Sequence, residues 1–526
     1  ALASRSDRSQ RGHGSDAGSR LVGRDRELAA ASGLVAEVAA GGSRTVFVTG
    51  QAGIGKTRFT KELRSLFEAA GQDRPTTWLE GTCLSYGLDE PYLPFRQVLR
   101  QALGRGTDPL DPMLSMILGS APGAVVPGAS AALSAESLQQ AVIDAFVALV
   151  EGLAAQGPVA IALDDLHWAD SASLRVVEGL VAGLGERAPV LLVLAMRPET
   201  DRGAWLLRER TLASRDRSSE LHLVSLDRDD ERGLISDLVG EGTLPEALET
   251  VLLGRTEGNP FYLRELLRSL QDTGAILRAE GSWTFDPGVE VELPDTVERV
   301  VLARIDRLLP RDRDLLNTAA VIGREFDLPL LGRIAGVPVT SGSLANLTRL
   351  GLIEGATAAE YRFSHPLIQE TAYLSMLRRG RAELHGRAAE AIEELADDGT
   401  VEHHAVLARH HSAAGHVAEA VRYHRMAALA SQRVVALDES RNQLDLAIEA
   451  AGLLDPASAA AVLPDLHLLR GHARGRTGDY VGGVQDLRSA LVGARSVGDA
   501  QVEMQGLNEL GWLTRVHGYE EDRPPR

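Results

Sequence analysis

The stretch Gly50-Gln51-Ala52-Gly53-Ile54-Gly55-Lys56-Thr57 leaves this chain few ways to fold. It has the form G-x-x-x-x-G-K-[ST], a loop that cradles phosphate when it joins a strand to a helix. The flanks supply that setting. Thr45-Val46-Phe47-Val48-Thr49 is a β-branched and aromatic run, as in a buried strand. Arg58 to Ala70 then places Phe59, Leu63, Leu66, Phe67 and Ala70 at helical spacing. Gly50, Gly53 and Gly55 permit backbone conformations closed to other residues. The N–H groups from Gly50, Gln51, Ala52, Gly53, Ile54 and Gly55 through Lys56, Thr57 and Arg58 can then turn inward around phosphate oxygens, at the positive end of a helix. Lys56 would reach the β- and γ-phosphates as a mobile point charge, and the Thr57 hydroxyl would ligate Mg²⁺. A chance glycine-rich turn is the competing explanation. Composition speaks against it: the chain holds only two lysines, Lys56 and Lys61, among 55 Lys and Arg residues. One of the two occupies the slot where a planar guanidinium fits poorly. ATP or ADP with Mg²⁺ is the expected ligand.

A chain of 526 residues is too long for one core, so about three or four domains are expected. The net charge of −18 argues against a broad electrostatic grip on nucleic acid or an anionic membrane, although a local basic patch could sit inside an acidic total. A single cysteine, Cys83, excludes an intrachain disulfide and suits a reducing cytoplasm. No apolar run reads as long enough to span a bilayer. The opening Ala1 to Ser19 is rich in Ser, Arg, Gly and Asp and reads as a disordered tail or linker. The first residue is not Met, which suggests a fragment of a longer protein.

Further strands are expected at Thr76 to Leu79, Val159 to Leu163, Val190 to Ala195 and Leu221 to Val224. Alternating with helices, they give a mostly parallel, three-layer α/β sheet. Val159-Ala160-Ile161-Ala162-Leu163 ends in Asp164-Asp165. Downstream of a phosphate loop, a buried strand ending in two acids supplies the second half of the site. Asp164 would hold the Mg²⁺ shell and Asp165 would polarise the attacking water; a plain strand ending in a turn is the alternative. Arg197 follows the strand at Val190 to Ala195, where open α/β sheets bind ligands. It is either a γ-phosphate sensor or a solvated arginine.

Beyond Leu226 the strand signal fades. Helices are expected at 229–239, 245–253, 261–270, 294–309, 311–321 and 341–350, with Leu352-Ile353-Glu354 and Tyr361-Arg362-Phe363 pairing as a hairpin. Three helices and a hairpin suggest a winged helix. From Val401 on, the chain is helical and alanine-rich. Turns at Gly478 and Gly518 lie 40 residues apart (518 − 478), the period of a tetratricopeptide-like solenoid. A non-repetitive bundle is the alternative.

Val22-Gly23-Arg24, the phosphate loop, Leu163-Asp164-Asp165-Leu166-His167-Trp168-Ala169-Asp170, Gly258-Asn259-Pro260-Phe261 and Phe363-Ser364-His365-Pro366-Leu367 occur in the order seen in STAND-class P-loop ATPases. The chain resembles the large ATP-binding regulators of the LuxR type and the ATPase halves of bacterial multidomain nucleotide cyclases, over about residues 21 to 395. With the tail and the repeats read from composition and period, the expected division is a tail at 1–20, an ATPase domain at 21–225, a helical lid at 226–290, a winged helix at 291–385 and TPR-like repeats at 386–526. The resemblance implies a switch: ADP locks a closed form, and ATP with an inducer opens it and permits self-association. By the same resemblance, Val22, Gly23 and Arg24 would lie near the adenine and Pro260 would pack on it. His365 would touch the ADP β-phosphate, or else simply cap the helix that starts at Pro366. The repeats would sense an inducer or regulatory protein. Motor ATPases carry Glu where this chain has Asp165, so turnover would be slow. DNA would be reached only through a domain outside this chain. A motor or origin-type DNA-binding ATPase and a non-hydrolysing nucleotide scaffold are the alternatives.

Overall fold

The computed structural model describes residues 21–71, 74–84, 90–104, 111–119, 135–184, 188–199, 203–213, 217–240, 243–279, 282–285, 294–336, 339–357, 359–395 and 403–517. The expected tail and the turn at Gly518 lie outside them. The chain divides into two compact units. One holds the start of the chain through Ala31, Gly50–Leu63 and Leu223–Leu377; the other holds Ser32–Thr49, Arg64–His222 and Arg378–Arg526.

Chain order runs α1 (Asp25–Ala39), β1 (Arg44–Thr49), α2 (Lys56–Ala70), β2 (Thr77–Thr82), α3 (Leu93–Leu103), α4 (Pro112–Ile117), α5 (Ala135–Ala154), β3 (Val159–Asp164), α6 (Ser171–Gly183), β4 (Val190–Met196), α7 (Gly203–Ala213) and β5 (Ser218–His222), with a short 3₁₀ turn at Leu166–Trp168 before α6. The five strands form one parallel sheet in the order β2-β3-β4-β1-β5. The apolar runs of β3 and β4 are buried along their whole length apart from the half-buried Asp164, as in a parallel sheet covered on both faces. β5 starts and ends three and two residues earlier than the apolar run Leu221 to Val224 suggests. It is an edge strand with a half-exposed polar sequence, Ser-Ser-Glu-Leu-His, so hydrophobicity does not mark it. What fixes it is side-chain bonding to β1. The buried Thr49 hydroxyl donates to Glu220 Oε1 at 2.6 Å and meets His222 Nδ1 at 2.9 Å. Arg208 of α7 holds the other side of Glu220. Burial raises the Glu220 pKa, but the bonds from Arg208 and Thr49 outweigh it, and the net shift is downward.

α5 is a correction to the membrane reading. Glu136–Ala154 is long and apolar enough to cross a bilayer by length and composition. Its Val142, Phe146, Val150 and Leu153 side chains instead join the core formed with α3, α4, α6 and the sheet.

The other unit is built on α8 (Arg228–Val239), α9 (Glu246–Thr256), α10 (Pro260–Asp272), a hairpin of β6 (Ile276–Ala279) and β7 (Ser282–Phe285), α11 (Val297–Asp306), α12 (Pro310–Ile322), β8 (Glu325–Asp327), α13 (Leu328–Ala335), α14 (Ser341–Arg349), β9 (Ile353–Gly355), β10 (Glu360–Phe363) and α15 (Pro366–Ser375). It has two cores. Leu234, Leu252, Leu263 and Leu266 centre the first, and Leu316, Leu331, Leu347 and Phe363 the second. α11 serves both: Val300 enters the first and Val301 the second. The expected hairpin is present as β9 and β10, but β8 adds a third strand in the order β8-β10-β9. β6, β7, β8 and α13 were not legible in the sequence; each is three to eight residues long, and α13 contains both Pro329 and Gly332.

The last of the described residues form a run of helices: α16 (Arg378–Leu395), α17 (His404–Ala414), α18 (Val417–Arg433), α19 (Leu437–Ala451), α20 (Pro456–Arg476), α21 (Tyr480–Val497) and α22 (Ala500–His517). Each packs on the next. The turn at Gly478 (φ +89°) joins α20 to α21 as expected. The boundary expected at 385/386 falls inside α16; the structural break is at Leu377/Arg378.

Candidate functional site

β1 ends at Thr49 and the phosphate loop begins at once, with α2 starting at Lys56. Gly53 adopts φ +77°, and a Cβ there would stand 2.9 Å from both Asn259 Oδ1 and Phe261 Cβ. Only glycine satisfies both the backbone and the space. Lys56 Nζ donates to the carbonyls of Gly50 at 2.8 Å and Gln51 at 3.0 Å, so the ammonium lies folded back over its own loop. Thr57 is exposed at the first turn of α2, and Arg58 pairs with Glu62 at 3.0 Å.

Two segments clasp this loop, one from far along the chain and one shortly before it. Asn259 Nδ2 donates to the Ala52 carbonyl at 3.1 Å, while its Oδ1 accepts from Phe261 and Tyr262 N–H as the cap of α10. Phe261 N–H also reaches the Gly53 carbonyl at 3.3 Å. Pro260 sits in the first turn of α10, where its missing N–H costs nothing. Glu231 of α8 sets the approach of this segment, accepting from Thr256 Oγ1 at 2.5 Å and Gly258 N–H at 3.0 Å. Arg24, 3% exposed, donates to the Val224 carbonyl at 2.6 Å and the Ile54 carbonyl at 3.4 Å, with Glu27 3.6 Å away. Burial lowers its pKa, against the opposing pull of Glu27 and Asp230. Gly23 (φ +69°) has no room for a Cβ, which would stand 2.5 Å from the Asp230 carboxylate. Val22 packs against the first core of this unit.

His365 caps α15, its Nδ1 accepting from Leu367 N–H at 3.2 Å. The ring also stacks on Phe261, with centroids 3.7 Å apart and planes inclined by 19°. The capping role offered by Pro366 is therefore present. Because Nδ1 accepts, the ring proton sits on Nε2. His365 is thus joined through Phe261 to the Gly53 carbonyl of the loop.

Asp164 is the last residue of β3, and Asp165 N–H donates back to its Oδ1 at 2.9 Å. Because the strands are parallel, β3, β4 and β1 all end at the same edge of the sheet. Asp165 has φ +55° and ψ +39°, the left-handed region. Asp and Asn tolerate that region better than longer acids, which gives a backbone reason for an Asp at this position. His167 is buried; its Nδ1 accepts from Arg197 N–H at 3.4 Å, and its Nε2 lies 3.8 Å from Glu199. Arg197 therefore joins the β4 end to this turn through its backbone, and its side chain is half-exposed. Among the described residues no group of three or more His, Cys, Asp or Glu side chains is placed to hold a metal ion.

The residues that sequence reasoning missed are Asn259 and Glu231. Asn259-Pro260 read as a break between helices, although Asn followed by Pro is also a cap followed by a first-turn residue. Glu231 lies in an exposed-looking acidic run, Asp229-Asp230-Glu231, with no local sign that it is 3% exposed.

The parallel sheet, the phosphate loop after β1 and the acids ending β3 define a P-loop ATPase domain. Residues 20–193 match the family model of the AAA ATPase domain, so this part of the chain is a nucleotide-binding domain of the AAA type, consistent with the STAND class that the motifs resemble. The chain is 28% identical over 481 residues to an uncharacterised protein of Rhizobium meliloti (strain 1021), in an alignment covering 86% of this chain and 44% of that protein. It thus spans less than half the length of the curated relative it matches. Among solved structures it is similar to a STAND protein with a tetratricopeptide repeat sensor from Pyrococcus horikoshii, at 14% identity over 94% of this chain and 80% of that one, with a TM-score of 0.43. It is also similar to the Aeropyrum pernix ORC2 protein, at 15% identity over 72% and 96% of the two chains, with a TM-score of 0.35.

Proposed function

We propose that this chain is a nucleotide-operated regulatory switch of the STAND class. The observation that carries the reading is the clasp on the phosphate loop. Backbone atoms of Ala52 and Gly53 bond to Asn259 and Phe261, and Phe261 stacks on His365. Whatever fills the loop must therefore act on α10, and through Phe261 on the three-stranded region read as a winged helix. Lys56 would swing from the Gly50 and Gln51 carbonyls onto the phosphates. Val22, Gly23, Arg24 and Pro260 would border the adenine. The donor set suits Mg²⁺, a hard cation that takes few protein oxygens and keeps waters and phosphates as its other ligands; Thr57 and Asp164 would hold it. Mg²⁺ neutralises developing charge on the phosphates. Asp165 would orient the attacking water, with Arg197 near the γ-phosphate, and hydrolysis would be slow. ATP would favour an open, self-associating form and ADP a closed one, with the helical arm read as TPR-like repeats that sense an inducer. Control of transcription is the output the LuxR-type resemblance favours.

The two acids separate binding from turnover. Asp164→Ala should weaken Mg²⁺-dependent ATP binding. Asp165→Asn keeps a residue tolerant of the left-handed backbone, and should leave binding intact while lowering single-turnover hydrolysis by at least about tenfold. Hydrolysis by Asp165→Asn at the parental rate would remove Asp165 from the chemistry.

The test of the switch is the ADP-to-ATP preference of His365→Ala. If His365 Nε2–H donates to the ADP β-phosphate in the closed form, its loss should weaken ADP by about tenfold, the worth of one charge-assisted bond, and leave ATP nearly unchanged. ATP-dependent self-association should rise on size-exclusion chromatography. A variant that melts earlier with the preference unchanged would leave His365 as a helix cap only.

A further inference from the structure

The helical arm makes a contact that the nucleotide site does not use. Between α18 and α19 the chain turns through Val435 at φ +60°, a left-handed backbone seldom adopted by a β-branched residue. The turn inserts Ala436 into the ATPase-domain core and packs Val434 against it. In the first turn of α19, Glu439 is 2% exposed and accepts from the backbone N–H of Ala172 at 3.1 Å. Ala172 lies in the first turn of α6. The local cap of that helix is Asp170, 3% exposed, which accepts from Ser173 N–H at 2.8 Å, Ser173 Oγ at 2.5 Å and Tyr92 N–H at 3.2 Å. Two buried carboxyl groups thus serve one helix end, one of them supplied 267 residues later in the chain. At the rim Arg175 of α6 pairs with Asp438, and Asp438 also lies 3.6 Å from Arg441.

The groups facing the pair offer little positive charge. Among the described residues they are Arg175, already engaged by Asp438 and Gln139, together with Asp438, Tyr92 and Cys83. Two buried carboxylates that sense one another cannot both ionise cheaply.

We propose that α19 is a latch that docks the helical arm on the ATPase domain through Glu439, and that the latch closes fully only while Glu439 and Asp170 hold a proton between them. The proposal adds an input to the switch and stands apart from nucleotide binding. Burial, and then Asp170, push Glu439 up to about 8, while burial also raises Asp170. The sign follows. A detached Glu439 loses its proton near the ordinary value of 4.5, and the docked one keeps it up to about 8. Docking is therefore fully favoured below the ordinary value, weakens as pH rises between the two, and is weakest above the upper one. Because α6 follows directly on the Asp164–Asp170 stretch, the latch also steadies the segment carrying the two acids.

Hydrogen–deuterium exchange of the full chain, corrected for intrinsic rates, tests this at the first turns of α6 and α19. Protection in the parent should drop by at least about tenfold between about pH 6 and about pH 9. Glu439→Gln keeps the acceptor and cannot ionise, so protection should persist at both values. Glu439→Ala should expose both turns at either pH while α20 and α21 stay protected. A parent with no pH dependence, or a Glu439→Gln variant that tracks the parent, would overturn the shared proton. Parental protection in Glu439→Ala would overturn the latch itself. If Glu439→Ala unfolds, the Gln variant decides. Titrating ATP into the same samples keeps the two readings apart, since loss of nucleotide binding would count against the switch and not against the latch.

Discussion

Lys56→Ala should lower affinity for both ATP and ADP by at least about a hundredfold, a loss of roughly 3 kcal/mol that two charge-assisted phosphate bonds account for. The loop's N–H groups, set by Gly53 and its neighbours, would be left intact and would supply the residual binding. An Ala side chain suits the start of α2, where Lys56 Nζ donates to two carbonyls of its own loop. Lys56→Arg should not restore affinity, because a planar fork does not replace a compact ammonium in a tight loop. Calorimetry on the two variants checks both statements. Parental affinity in Lys56→Ala would mean that this glycine-rich turn does not hold phosphate.

Arg304→Met should destabilise its unit by about 3–5 kcal/mol, the usual loss when one partner of a buried ion pair is removed. Arg304 of α11 is 4% exposed and pairs with the fully buried Glu265 of α10. It also donates to Asp272 Oδ2 at 3.1 Å and to the Leu350 carbonyl. One guanidinium thus ties α10, α11 and the turn before β9, the same α10 whose first residues clasp the phosphate loop. In the variant Glu265 would keep Arg268, at 3.1 Å, as its one remaining ion-pair partner among the described residues. The comparison is Arg379→Met, whose ion pair with Glu383 is 89% and 63% exposed on its two side chains. That change should be nearly silent, as exposed pairs are. Denaturant midpoints for the two variants decide the matter. Equal midpoints would show that the buried network contributes no more than a surface pair.

The sequence made the phosphate loop and the strands β1, β3 and β4 legible because their physics is local. A glycine at positive φ, a lysine in a lysine-poor chain and an apolar run ending in acids each leave a mark within a few residues. β5 was misplaced because an edge strand needs no apolar run, and the bonds that fix it come from Thr49 and Arg208, distant in sequence. α13 hid behind its proline and glycine. The clasp was half legible: Asn259-Pro260 was visible as punctuation, but the carbonyl of Ala52 that it holds lies some 207 residues away. Glu439 was not legible at all. A glutamate near the start of an ordinary helix carries no sign that another helix's first turn will close over it.

The strand order has a consequence for synthesis on the ribosome. β1, which carries the phosphate loop, pairs with β4 on one side and β5 on the other, and with no earlier strand. Its partners are Leu191 to Met196 and Ser218 to His222. For the time needed to add well over a hundred residues, the nascent strand has both backbone edges open while β2 also waits for β3. Pairings so distant in sequence form slowly. Open strand edges in that interval invite the wrong partner. The strand that carries the loop stays unpaired until β4 and β5 have left the exit tunnel, so a nascent chain stopped before Val190 should bind ATP poorly and should be a preferred client of chaperones that shield unpaired strands.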